Sequence, residues 1–199
     1  MQIKTEQQFF VPGSEKWLDV GCGPAKIPGA VGIDRCQLPG VDTVHDLNKY
    51  PWPFAANTFD HVVCKHVLPH LDDFVRAVEE IHRVTKPGGI VEILAPHYAS
   101  DNANTDPTFR VRLGLRSMHY FCEQFDFKYQ YYSSARFQMV RRRVSFRENK
   151  TDFRKDTKAN LARHLGLEWA VNTLPRVYER FFVYLLIPSE IYFKLKVLK

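Results

Sequence analysis

The chain is poor in most of the features that would staple, anchor or metallate it. Its 199 residues hold four cysteines, Cys22, Cys36, Cys64 and Cys122, none in a Cys-x-x-Cys pair. That scatter excludes the usual zinc frameworks and offers no disulfide scaffold, so no metal is expected, and reduced thiols in a cytoplasmic protein are. No apolar run approaches the ~20 residues that cross a bilayer. The longest, residues 181–187, is cut by Pro188. No secretory leader pattern is read at the start. A phosphate loop ending in Lys-Ser/Thr, a His-Glu-x-x-His pair and a Ser-His-Asp arrangement are all missing, and with them the signatures of three hydrolytic and phosphotransfer classes. Repeats, low-complexity tracts and linkers are absent as well.

What is present fits one globular domain. The hydrophobic fraction is 45% and the mass 23.2 kDa, enough to bury a core without staples. The net charge of +6 is compatible with nucleic acid, anionic lipid or an acidic small substrate, and selects none of them.

The chain is organised around residues 16–26. An apolar run with an acid near its end, residues 16–20, stops at Gly21 and Gly23, and a second short run, residues 30–34, closes on Asp34. Glycines after a strand permit a tight turn and close approach of a ligand to the backbone. An acid closing the next strand can hold ribose hydroxyls. A glycine pair alone also fits an ordinary turn; with Asp34 in place it points to a nucleotide pocket. Only six residues separate Gly23 from the second run, Pro28 and Gly29 among them. A βαβ crossover takes a dozen or more residues, so a truncated helix or a bare turn is expected, with a site more open on one side.

Further strands are expected over residues 41–46, 59–64 and 90–95. A helix over residues 71–85 carries the stripe Phe74, Val78, Ile81 and Val84 and is stopped by Lys86-Pro87-Gly88-Gly89. Strands alternating in this way form a parallel sheet whose carboxyl edge receives the ligand. Gly21, Asp34, Asp46, His66 and His97 all fall at such ends.

The first loop, Asp19-Val20-Gly21-Cys22-Gly23-Pro24-Ala25, resembles the acid-x-Gly-x-Gly-x-Gly motif of class I S-adenosylmethionine-dependent methyltransferases, with Ala25 where the third glycine is usual. A dinucleotide fingerprint fits less well, because position 26 is Lys and Asp34 comes early. His66-Val67-Leu68-Pro69-His70 is similar to the family's "HVLEH" segment, with Pro69 for Glu. Residues 106–110 resemble a "DPTH-x-R" loop, with Phe109 for His. The resemblance covers residues 16–121 well and the remainder loosely. It implies an α/β, Rossmann-like doubly wound, mostly parallel sheet with an antiparallel C-terminal edge and a shortened first crossover helix. It also implies S-adenosylmethionine as cofactor and S-adenosylhomocysteine as product. The implied cofactor set is Asp19, Gly21, Gly23, Asp34 for the ribose, Arg35, Asp46 and Leu47 for adenine, Lys65, and His66 beside the methionine part. Asp46 also fits an ordinary cap.

The second half is expected to present the acceptor, so that one domain, residues 1–199, divides into a cofactor-binding half (16–97) and a substrate half (98–199). The polar stretch 98–121 reads as a loop and substrate lid, or as a plain solvated loop. His97 is the first candidate for a general base and His66 the second, with His70 and His119 weaker. Tyr98 and Arg110 could orient a substrate, Asp106 could brace the lid or cap a helix, and His119 completes that substrate set. Residues 137–146 read as an edge strand, 160–186 as mostly helical, and 189–199 as a closing strand. The expected activity is methyl transfer to oxygen or carbon of a small molecule. Three alternatives stay open: an RNA methyltransferase using the basic segment 136–163, a cofactor-binding protein without turnover, and a membrane-surface protein using the C-terminal aromatic segment.

Overall fold

The computed structural model describes residues 14–125, 130–146 and 166–199. Seven strands form one sheet in the order β3-β2-β1-β4-β5-β7-β6. They are β1 (Trp17–Val20), β2 (Val31–Asp34), β3 (Thr43–Val44), β4 (Phe59–Lys65), β5 (Thr85–Pro96), β6 (Arg136–Ser145) and β7 (Glu190–Leu198). The first five run parallel; β7 pairs antiparallel with β5, and β6 antiparallel with β7. This is the expected α/β architecture. Central β1 is buried at all four positions, as a strand covered on both faces must be.

No helix joins β1 to β2. The Gly21 and Cys22 amides both donate to the Ile33 carbonyl (2.8 and 3.2 Å), and the Ile27 amide donates to Asp19 Oδ2 at 2.8 Å. A buried carboxylate thus supplies an acceptor that a crossover helix would have provided from its own backbone. Burial raises the Asp19 pKa, and the Ile27 hydrogen bond only partly opposes that. On the same face Trp17, Ile27, Ala30 and Val63 form a small apolar cluster.

The opposite face holds the main core. Helix α1 (Phe74–Val84) lays Ala77, Val78, Ile81 and Val84 against Leu18, Val62, Cys64 and Val91. It begins at residue 74 rather than 71 because Asp73 accepts the Arg76 amide as an N-cap, while Leu68–His70 forms a separate 3-10 turn opened by Pro69. It ends at Thr85, whose hydroxyl donates to the Ile81 carbonyl at 2.6 Å. β5 takes over at once, so residues 86–89 lie within the strand's span rather than before it.

The expected loop 98–121 contains helix α2 (Asp101–Thr105), capped by Ser100, and a 3-10 turn, Ser117–Phe121. The third strand is reduced to two residues, and the far edge strand β6 carries a bulge between Met139 and Arg141. A short strand at one edge and a bulged, arginine-bearing strand at the other both discourage pairing with a second sheet. Helix α3 (Leu167–Thr173), a turn at Pro175–Val177 and a wider π-type turn at Tyr178–Phe182 precede β7. Of the expected helical stretch 160–186, residues 160–165 lie outside the described residues, as do 147–159 of the basic segment.

Candidate cofactor cleft and substrate loop

An open cleft of about 760 Å³ lies at the carboxyl edge of the parallel strands. From the expected set, Gly21, Asp34, Arg35, Asp46, Leu47, Lys65, His66 and Arg110 line it. Gly21 has φ +64, and a Cβ there would lie 2.3 Å from Val67 Cγ2 and 2.6 Å from Val67 Cβ. Glycine therefore lets the turn after β4 close down on the β1 turn. Asp34 accepts the Gly23 amide on Oδ2 at 2.9 Å and the Cys36 amide on Oδ1 at 3.0 Å. Each oxygen keeps capacity for a further donor, as a vicinal diol requires. Asp46 Oδ1 accepts the Asn48 amide at 3.1 Å, and the Leu47 carbonyl accepts Trp52 Nε1 at 3.1 Å. Trp52 is held in turn by Glu80, which accepts its amide at 2.7 Å.

His66 sits at the end of β4 with φ +54, a conformation that costs a non-glycine residue of order 1–3 kcal/mol and is concentrated at functional sites. Its amide donates to the Leu94 carbonyl at 2.8 Å, and its Nε2 is 3.2 Å from Glu190 Oε1.

The loop over residues 106–111 is pinned beside this cleft. The Pro69 carbonyl accepts the Arg110 and Val111 amides at 2.7 and 3.1 Å, and the Phe109 ring meets the His70 ring edge-on at 4.6 Å. Thr108 Oγ1 is 2.6 Å from Asp106 Oδ1 and 2.8 Å from His70 Nδ1. A hydroxyl has one proton, and the carboxylate can only accept it. Thr108 must therefore accept from His70, which fixes the proton on Nδ1 and leaves the lone pair on Nε2 of a residue that lines the cleft. Burial lowers the His70 pKa, Asp106 opposes this, and Arg35 and His66 add to it. The Asp106 carboxyl is held below its usual range by the Thr108 hydroxyl and amide. The Arg110–Asp72 pair, at 3.6 Å with both side chains exposed, adds little.

Other expected site residues lie elsewhere. Asp19 braces the β1 turn from beneath, Gly23 reaches the cleft only through Asp34, and Asp106 only through Thr108. His97 is fully buried. The Ala99 amide donates to its Nδ1 at 3.2 Å, so Nε2 carries the proton and donates to Glu179 Oε1 at 3.2 Å. Both nitrogens are spent inside the protein, which removes the expected base from the solvent-facing cleft. The Tyr98 ring packs against Gly114 instead of lining the cleft. His119 is buried, stacked on Phe125 at 3.6 Å and within 2.7 Å of Arg142, and its pKa is pushed down to about 4 by burial first and Arg142 second. Thr108, Asn48 and Asp72 line the cleft without having been expected, and His70 ranks higher than its sequence context suggests.

Of the basic segment, Arg141 and Arg143 are exposed, whereas Arg142 turns inward and donates to the Leu115 carbonyl at 3.2 Å. No helix among the described residues is long and apolar enough to cross a membrane.

A mostly parallel sheet with two carboxylates and a glycine turn at its carboxyl edge is a Rossmann-like nucleoside-binding fold. A methyltransferase-domain family model matches residues 28–93. An uncharacterised methyltransferase of Schizosaccharomyces pombe is 34% identical over 113 residues, which is 41% of this chain and 40% of that protein. A demethylmenaquinone methyltransferase of a Geobacillus strain is 34% identical over 146 residues, covering 61% of this chain and 57% of that one. The chain thus spans about half the length of these relatives. In fold, a crystal structure described as a SAM-dependent methyltransferase from Archaeoglobus fulgidus superposes with a TM-score of 0.54 at 15% identity, covering 92% of this chain and 86% of the other. Residues 28–93 thus match a methyltransferase-domain family, and the fold is that of S-adenosylmethionine-dependent methyltransferases. S-adenosylmethionine is the cofactor of that family, and the donor set fits it: Asp34 suits a ribose diol, Asp46 with Leu47 an adenine edge, and the polar Lys65–His66 end a charged amino-acid tail.

Proposed function

We propose that the protein transfers a methyl group from S-adenosylmethionine to an oxygen or carbon nucleophile of a small molecule, within a single domain. The reading rests on one observation above the others: Asp34 and Asp46 stand on the same cleft, each oriented by backbone amides. The bound cofactor supplies a sulfonium-activated methyl group. The protein's part is to hold the acceptor in line, exclude water and take up a proton where the acceptor is an alcohol, phenol or acidic carbon. Orientation accounts for roughly 7–11 kcal/mol in favourable cases, and a general base for about 10²–10⁴ in rate.

His70 is assigned the proton, received at Nε2, with Thr108 and Asp106 as positioning residues behind it. His66 orients the cofactor's amino-acid end, and Arg110 meets the acceptor. The demethylmenaquinone methyltransferase relatives support a small-molecule acceptor. Calorimetry with S-adenosylmethionine and S-adenosylhomocysteine tests the assignment. Asp34→Ala should weaken both by at least tenfold while Arg141→Ala leaves them unchanged. Equal affinity of wild type and Asp34→Ala would refute the assigned cleft.

A further inference from the structure

The segment from Trp169 in α3 to the start of β7 presents large apolar side chains outward. Trp169, Phe181, Tyr184 and Leu185 are 74%, 67%, 77% and 76% exposed. Leu174 and Val177 are exposed too, and with Phe181 and Leu185 they recur at three- and four-residue spacing, which puts them on one stripe of a helical backbone. The segment is not loosely attached. Val171, Tyr178 and Val183 are buried, the Tyr178 hydroxyl donates to the Leu186 carbonyl at 2.5 Å, and Asn172 brackets Val144 by accepting its amide at 2.7 Å and donating to its carbonyl at 3.1 Å. Glu179 reaches inward to His97 and accepts the Leu115 amide at 2.6 Å. Apolar and polar groups together anchor the inside, and large apolar side chains face out as well, where an ordinary surface helix is polar.

We infer that this face docks on an anionic lipid bilayer. Charge complementarity selects that occupant. Between residues 169 and 187 the charged residues are Arg176, Glu179 and Arg180, and the one acid is turned inward, so both outward charges are positive. Arg141 and Arg143 on β6 share an open cavity of about 450 Å³ with Trp169 and Thr173 of α3, a seat for a phosphate-bearing headgroup. Aromatic rings at the rim, aliphatic side chains beyond them and cations around both match the chemistry of a bilayer interface. RNA would use the cations and rings but has no use for Leu174, Val177, Leu185 and Ile187, which cannot stack on bases.

The chain carries its own reporter. Trp17 and Trp52 are buried and Trp169 is exposed, so a change in tryptophan emission on adding vesicles reads the proposed face. With full-length protein and vesicles of phosphatidylcholine and phosphatidylglycerol, 1:1, emission should shift to the blue and the protein should pellet with the lipid. Binding should fall at least tenfold with phosphatidylcholine alone or in high salt. Phe181→Ser with Leu185→Ser should lose at least tenfold in partitioning with an unchanged circular dichroism spectrum; Trp169→Ser, followed by pelleting, is the second variant should the first misfold. Unchanged emission and no pelleting at millimolar lipid would overturn the inference. So would a lipid-independent blue shift that follows protein concentration and dimerisation, or a single-stranded RNA that binds more tightly than the vesicles.

Discussion

His70 and Thr108 are 38 residues apart in the chain, yet their Nδ1 and Oγ1 atoms stand 2.8 Å apart on the wall of the proposed cofactor cleft. Because the Thr108 hydroxyl is committed to Asp106, this contact determines where the imidazole proton resides. Proton-detected ¹⁵N spectra should show His70 with a protonated Nδ1 and a bare Nε2 near neutral pH. Thr108→Val should leave a mixture of tautomers. An unperturbed single tautomer in that variant would mean that Thr108 does not set it.

The same contact has a pH consequence. Burial, Arg35 and His66 hold the His70 pKa below its usual 6.5, and Asp106 pulls it back up. Removing that charge by Asp106→Asn should depress the pKa further, so the acid limb of any kcat/KM profile should move to lower pH. Lost alignment should also cut the rate by about tenfold, short of the 10²–10⁴ that loss of the whole base would cost. A limb that moves to higher pH contradicts the arrangement.

His97 and His70 should differ in kind. His97→Ala strips Glu179 of a buried partner, which should cost about 3 kcal/mol, or roughly 6–12 °C in Tm for a chain of this size. Cofactor affinity should change less than twofold. His70→Gln should leave Tm nearly unchanged and reduce turnover on an identified acceptor by about 10²–10⁴. Differential scanning fluorimetry beside single-turnover rates separates the two, and the reverse pattern would restore His97 as the base.

These two histidines mark where the sequence stops being legible. Strand ends are local, so Gly21, Asp34, Asp46 and His66 can be placed on one edge from spacing alone, and counting the six residues after Gly23 removes the crossover helix. His97 has the same strand-end signature as His66, but its surroundings are decided by Glu179, 82 residues downstream. Nothing in the local pattern announces that return. Likewise Asp106-Pro107-Thr108 reads as a turn, and its meeting with His70 is a tertiary event. Helix α2 was hidden for another reason: Ser100 is a legible N-cap, but the residues after it lack an apolar stripe.

Gly21 should be the least replaceable residue of the nucleotide turn. Gly21→Ala forces an L-residue into φ +64 and drives its Cβ into Val67. The backbone term is about 1–2 kcal/mol, and the overpacking about 1–3. Urea denaturation should show a loss of roughly 2–5 kcal/mol, and cofactor binding should weaken as the turn reopens. Val67→Ala added to Gly21→Ala should recover some of the steric part, because the Val67 Cγ2 contact goes while the Cβ contact at 2.6 Å stays, and should leave the backbone part. No recovery in the double variant would place the cost elsewhere.

His119 supplies the clearest test of stability against pH. Its folded pKa is pushed down to about 4 from an ordinary 6.5 by burial and Arg142. The unfolded chain therefore binds a proton that the folded chain refuses, and the neutral ring's stabilisation, complete above 6.5, drains away as pH falls toward 4. At ~1.4 kcal/mol per unit the loss is on the order of 3 kcal/mol. Glu92 runs separately: its pKa is lowered to about 2 from 4.5, so its contribution is lost at lower pH, from 4.5 down to 2. Urea midpoints measured from pH 7 to pH 4.5 should thus fall for the wild type. His119→Asn should start lower and fall less steeply, because the titrating group is gone while His70 and His82, whose pKa values are also lowered, keep the remaining slope. Parallel curves for the two proteins would mean that Arg142 and burial do not hold His119 neutral.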